Sequence, residues 1–142
     1  MIFNFLIKLI LIIFCFFFPG DGKSENPNII VLMYHRFDEN NYPSTSISKV
    51  LFEEHIEFLI KKDIKILPLT DLTSYFKGEK KLPKRSVFIT IDDAFKSFYY
   101  YGFPILKKYK LPFSIFVSSR FVSNESDSDF MSWSMLKEIS TN

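Results

Sequence analysis

The stretch Ser86-Val87-Phe88-Ile89-Thr90-Ile91-Asp92-Asp93 is a short apolar run that stops abruptly at two adjacent carboxylates. Val87 to Ile91 is apolar except for Thr90, and Lys84-Arg85-Ser86 sets the run off on its N-terminal side. Continuous rather than alternating hydrophobicity over so few residues predicts a strand buried on both faces, as in a helix-covered parallel sheet. In barrels and open α/β sheets, sites are built at the C-terminal ends of strands. Asp92 and Asp93 stand at such an end. Successive strand side chains point to opposite faces, so the two carboxylates can serve one site only if the strand has ended. One division of labour is a metal ligand beside a general base. Carboxylate oxygens suit hard or borderline cations, and a cation keeps a neighbouring carboxylate ionised. The competing reading is that Asp93 caps a following helix.

The rest of the chain repeats the strand-then-helix pattern. Asn28 to Tyr34 is apolar apart from its first residue and is expected to be a first strand buried on both faces, which puts His35 just past its C-terminal end. Ser48 is expected to open a helix to about Lys62, with Phe52, Ile56, Leu59 and Ile60 as its buried stripe. Its charged face offers Glu57 and Lys61 at i,i+4 spacing, and His55 reads as structural. Ile64 to Leu67 is a short strand closed by Pro68. Thr70 or Asp71 is expected to cap a helix through Phe76 that ends at Lys77-Gly78. After Asp93 comes an aromatic helical segment, Phe95 to Tyr101, which Gly102-Phe103-Pro104 interrupts before a second piece to Tyr109. Three consecutive tyrosines cannot all be buried on a helix, so at least one should face solvent or a carbohydrate-like ligand. Phe113 to Val117 is a further strand, and Ser132 or Ser134 caps a last helix to Ile139. Strands alternating with helices at this spacing predict parallel pairing through right-handed crossovers.

Before this pattern, Met1 to Phe18 is apolar apart from Asn4 and Lys8. Leu9 to Phe18 has the length of a signal-peptide h-region and is short for a membrane span. Residues 1–22 are therefore expected to be a signal peptide or N-terminal anchor that exports the chain, and residues 23–142 one domain. The 142 residues are enough for one ordinary domain. A net charge of +2 implies neither a nucleic-acid groove nor a basic membrane surface, which leaves only the leader for membrane contact. No Gly-rich phosphate loop and no Gly-x-Ser-x-Gly nucleophile elbow is present. The single cysteine, Cys15, excludes an intramolecular disulfide and a Cys-based zinc site.

Several segments, in order, resemble one family. Thr90-Ile91-Asp92-Asp93-Ala94 is similar to the Thr-Phe-Asp-Asp-Gly motif of polysaccharide deacetylases of the NodB-homology type, carbohydrate esterase family 4. Met33-Tyr34-His35-Arg36-Phe37, Phe52 to Leu59, Pro104 to Tyr109 with Pro112 to Val117, and Ser132 to Leu136 resemble the family's flanking strands and helices. The resemblance covers roughly Asn28 to Ile139. It implies an α/β fold that is about the first half of a distorted (β/α)7 barrel. It also implies hydrolysis of an N-acetyl or O-acetyl group on a polysaccharide. By position, Asp92 would be the general base, Asp93 a ligand of a divalent metal, usually zinc, and His35 a substrate contact. A metal that polarises the acetyl carbonyl beside a carboxylate that accepts a proton is coherent chemistry.

Two departures accompany the resemblance. Ala94 stands where the family has Gly, with Ile91 for Phe; if φ is positive there, Ala costs on the order of 1 kcal/mol. The family's paired metal-binding histidines would follow the helix that ends near Ile139, whereas the only histidines here are His35 and His55. A catalytic zinc wants about three protein ligands. The chain is therefore expected to be the front part of a longer deacetylase, with open strand edges and an uncovered apolar sheet face. The alternative is an inactive module that binds glycan or a partner through the aromatic surface at Phe98 to Tyr101.

Overall fold

The computed structural model describes residues 26–122 and 128–141. The apolar leader on which the export expectation rests lies outside them. No helix among the described residues is long and apolar enough to cross a membrane.

In chain order the elements are β1 (Asn28–Tyr34), β2 (Arg36–Phe37), β3 (Ser46–Ile47), α1 (Lys49–Lys61), β4 (Lys65–Ile66) and α2 (Leu69–Phe76). β5 (Arg85–Asp92) follows, then a π-helical turn (Phe98–Gly102) running into α3 (Phe103–Lys108), β6 (Ser114–Phe116) and α4 (Trp133–Ser140). The expected alternation of strands and helices is present, with β2 and β3 added as a two-residue parallel ladder.

β5 is the centre of a four-stranded sheet in which every pairing is parallel. β1 runs along one side of it in seven pairs, Asn28 opposite Arg85 through Tyr34 opposite Ile91. The other side is shared: β4 pairs with Ser86 and Val87, and β6 with Thr90 to Asp92. A strand flanked on both edges is well buried, and Ser86 to Ile91 are all buried, with Ser86 and Thr90 the only polar residues among them.

β1 differs from its expectation. Its apolar run predicts burial on both faces, yet Met33 is 60% exposed and Val31 47%. The register puts Val31 beside Phe88 and Met33 beside Thr90, on the sheet face opposite Leu32, Tyr34, Val87, Ile89 and Ile91, which pack into the helix-covered core. Exposed Phe116, opposite Asp92, lies on the same open face. Continuous hydrophobicity thus marks a strand made for two-sided burial, but of β1 only Leu32 and Tyr34 pack against the helix-covered core, and Ile30, beside Val87, is itself 53% exposed.

α1 forms where Ser48 predicts it. The Ser48 hydroxyl accepts from the Leu51 amide, an N-cap, and Phe52, Ile56 and Leu59 are buried. Ile60 is not: it lies about 40° further round the helix than Ile56, past the edge of a narrow stripe, and is half exposed. On the outer face, Lys108 donates to Glu53 at 2.7 Å and the Tyr109 hydroxyl donates to Glu57 at 2.7 Å, fastening α1 to the end of α3. α2 begins earlier than expected, with Pro68 at its N-cap, two residues before Thr70 and three before Asp71, and no side-chain cap. Asp71 instead sits in its first turn and pairs with Lys80 at 2.7 Å. Gly78 closes this segment at a φ of 75°, as its C-cap role requires.

The Lys108 ammonium holds the Glu53 carboxyl below the usual glutamate range. A folded-state value below the unfolded one stabilises above the unfolded value and is lost as pH falls through it. The difference in urea midpoint between wild type and Glu53→Gln should therefore be small and positive at neutral pH and should vanish on acidification below about pH 4. A difference that grows on acidification would contradict this pairing.

The aromatic segment does not break at Gly102-Phe103-Pro104. It continues through a π-helical turn, with Pro104 at the start of α3 where its missing N–H costs nothing. Gly102 is needed for close approach: a Cβ there would lie 2.6 Å from Phe98 Cδ2 and 2.9 Å from Phe37 Cε1 and Cζ. Tyr100 and Tyr101 face solvent, while Tyr99 is half-buried and donates to Glu138 at 2.5 Å.

Candidate active site

β5 ends at Asp92, and the chain turns at once. Asp93 has a φ of 65° and Ala94 a φ of 58°, two consecutive non-glycine residues in the left-handed region. Each costs on the order of 1 kcal/mol and persists only where the surroundings enforce it. Here the Met131 amide donates to the Ala94 carbonyl at 2.8 Å and the Lys96 amide to the Asp129 carbonyl at 2.8 Å. Between them Phe95 and Phe130 form an antiparallel bridge, with rings stacked 4.8 Å apart. The turn frees Asp93 from strand alternation, which is the condition for two adjacent carboxylates to share a site. The helical segment that follows begins at Lys96, which puts Phe95 and not Asp93 at its N-cap position.

His35 follows Tyr34 as Asp92 follows Ile91, and Tyr34 and Ile91 are paired. His35 and Asp92 therefore leave the sheet at the same level on neighbouring strands, with Phe116 opposite Asp92 on the other flank. The register thus sets His35 and Asp92 at one edge of the sheet, with Asp93 the next residue in the chain. His55 stands apart on α1, where its Nδ1 lies 3.2 Å from the Tyr34 hydroxyl, the structural role expected of it. Burial pushes the Tyr34 phenol up and keeps it protonated at neutral pH.

Asp92 carries the sharpest signal. Its Oδ1 is buried and has no hydrogen-bond partner. Leaving such an atom unpaired costs about 1–3 kcal/mol, more when it is charged. A buried acceptor in this position suits a proton, a water or a cation.

The donors suit a divalent cation in kind, being hard carboxylate oxygens with an imidazole at the same sheet edge. They fall short in number. Among the described residues no group of three or more His, Cys, Asp or Glu could hold a metal ion. A metal bound here requires donors beyond these.

Sequence reasoning passed over Arg36, which is buried at this edge. The signal was available: a basic residue inside an apolar strand end, between a histidine and a phenylalanine. It also passed over Phe116, whose place beside Asp92 depends on a register that one segment alone does not reveal.

Comparison with known proteins places these features. A family model described as polysaccharide deacetylase matches residues 79–142. The poly-beta-1,6-N-acetyl-D-glucosamine N-deacetylase of Staphylococcus aureus is 33% identical over 137 residues, covering 85% of this chain and 47% of that protein. The enzyme of the same name from Staphylococcus epidermidis is 31% identical over 116 residues, covering 72% and 40%. Among solved structures, IcaB from Ammonifex degensii superposes with a TM-score of 0.74 at 29% identity, over 82% of this chain and 50% of that one. The Streptococcus pyogenes deacetylase PplD, solved in complex with acetate, shares the fold with a TM-score of 0.69 at 21% identity, over 82% and 54%. The chain spans about half the length of the curated relatives it matches.

Proposed function

Because this chain belongs to the polysaccharide deacetylase family and has the fold of a partial (β/α) barrel of that type, we propose that the protein hydrolyses acetyl groups from an acetylated glycan. The observation that carries the proposal is the pair of carboxylates at the C-terminal end of the central strand, one with a buried, unpartnered oxygen. Asp92 is the general base. Its carboxylate takes a proton from water as the water oxygen bonds to the acetyl carbon; the C–N bond to the sugar nitrogen, or the C–O bond of an ester, then breaks as that proton passes to the departing nitrogen or oxygen, freeing the sugar amine or alcohol and acetate. His35, level with Asp92 on β1, contacts the substrate.

Asp93 contributes an oxygen to a divalent cation, with zinc the expected ion. When bound, the cation would polarise the acetyl carbonyl and acidify the attacking water; its other ligands are not among the described residues. The names of the relatives favour a polymer of N-acetylglucosamine as substrate. The apolar leader, residues 1–22, favours export, with the leader as signal peptide or anchor.

A specific observation supports a second reading. With no three-donor group among the described residues and with Tyr100 and Tyr101 exposed on the aromatic turn, the fold could hold glycan without hydrolysing it. The two readings separate on acetate release from poly-β-1,6-N-acetylglucosamine by the intact protein. The deacetylase reading expects release that stops with chelator, returns with added zinc, and falls about a hundredfold or more in Asp93→Ala. Glycan binding that persists in chelator, without any release of acetate, would establish the second reading instead.

A further inference from the structure

Arg36 is only 9% exposed, yet it is a full charge at the end of an apolar strand. Its guanidinium lies between two rings, 4.0 Å from the centroid of Tyr42 and 3.6 Å from that of Phe95. It pairs with the Glu39 carboxylate, and its other terminal nitrogen lies 3.9 Å from Asp129 Oδ2. These four partners come from three separate segments. Glu39 and Tyr42 belong to the loop between β2 and β3, Phe95 follows the left-handed turn by one residue, and Asp129 lies in the segment that pairs with that turn. A planar cation stacked between aromatic faces and paired at its edges is something lysine cannot reproduce.

We propose that Arg36 is the positioning residue of the catalytic turn, fixing the geometry of Asp92, Asp93 and Ala94 by clamping Phe95. The turn contains two residues in a disfavoured conformation, so it holds only while its next residue is held. Phe95 is held both by Phe130, stacked at 4.8 Å, and by the Arg36 guanidinium over its ring at 3.6 Å. The neighbouring backbone is tied to the same post. The Arg36 amide donates to the Thr45 carbonyl, and the Phe37 amide donates to Ser97 Oγ just past the turn. Arg36 need not touch substrate; it sets where the two carboxylates stand, and displacement of a reacting group by about 1 Å can cost a hundredfold in rate. Its effect on catalysis rests on the deacetylase reading, while its effect on the turn does not.

The test compares Arg36→Lys and Phe95→Leu with the intact wild-type protein. The first keeps the charge and loses the stacked plane; the second keeps apolar volume and loses the ring. Hydrogen exchange is read at the Lys96 and Met131 amides, which donate across the turn, with the β1–β5 ladder as internal reference. Steady-state acetate release is read alongside. Both variants should exchange these two amides about tenfold faster or more, the scale of one desolvated cation–π contact, with the ladder unchanged. For acetate release, kcat should fall tenfold or more, with KM within about threefold. Unchanged exchange at Lys96 and Met131 in both variants would overturn the clamp, whatever the activity. Faster exchange with a wild-type kcat would overturn the positioning role. Faster exchange in a protein whose wild type releases no acetate would support the clamp and refute the deacetylase reading.

Discussion

Asp92→Asn should abolish acetate release while leaving the fold at least as stable as before. The two halves of this expectation have one cause. The carboxylate sits at the end of a strand whose preceding six residues are buried, and its Oδ1 has no partner. An unpaired buried oxygen weakens the fold by about 1–3 kcal/mol, and the penalty is larger for a charge than for an amide. Asparagine has nearly the same shape and can sit in the same place without the charge. It cannot take a proton from water, and losing a general base costs about 10²–10⁴-fold in rate. Thermal unfolding of the intact protein should give a midpoint equal to wild type or higher, the exchange of stability for function expected at a strained site. If activity survives within threefold, Asp92 is not the base. If Asp92→Asn unfolds the protein, the carboxylate has a structural role that the unpartnered oxygen argues against.

The largest effect on stability is expected at Phe37. Its ring is wholly buried. It meets Phe52 edge-on at 4.9 Å and Phe98 at 5.5 Å, and its Cε1 and Cζ fill the space that a Gly102 side chain would need. It thus joins β2 to α1 and to the π-helical turn. Truncation removes the burial of an aromatic ring and leaves a cavity that those elements cannot close without moving together. Phe37→Ala should cost about 3–5 kcal/mol, most of the margin of a small domain. That corresponds to a thermal midpoint lower by on the order of 15 °C. Phe37→Leu, which keeps most of the volume, should cost well under half as much. Equal losses for the two variants would mean that the ring's shape, rather than the cavity, carries the energy.

Much of this fold was legible because it is local. Ser48 and Ser132 announce helices by hydrogen bonds formed within the next turn, and both serve as N-caps. The period of Phe52, Ile56 and Leu59 reveals a buried helix face because neighbours along one helix share that face. The largely apolar run of β5, broken only by Thr90 between Val87 and Ile91, reveals a central strand because pairing on both edges leaves little room for polar side chains. The family motif's glycine, replaced here by Ala94, anticipated a positive φ, and the backbone has one.

The rest depended on what lies across the sheet. β1 reads like β5 in sequence, yet one of its faces is open, since composition records the burial a strand is suited to and not the layer that supplies it. Ile60 fell outside its stripe by a fraction of a turn, a margin set by the neighbours of α1 rather than by its own period. Arg36 gave no local reason for burial; its partners lie at Glu39, Tyr42, Phe95 and Asp129. By itself the sequence determined the alternation of the main strands and helices, the caps at Ser48 and Ser132, and two carboxylates at the end of a buried strand, because each follows from bonds and periods spanning a few residues. Only the tertiary structure decided that His35 stands level with Asp92, that Phe116 flanks it, and that Arg36 grips the turn. Those relations depend on register and on contacts between segments far apart in the chain, for which no local pattern carries a signal.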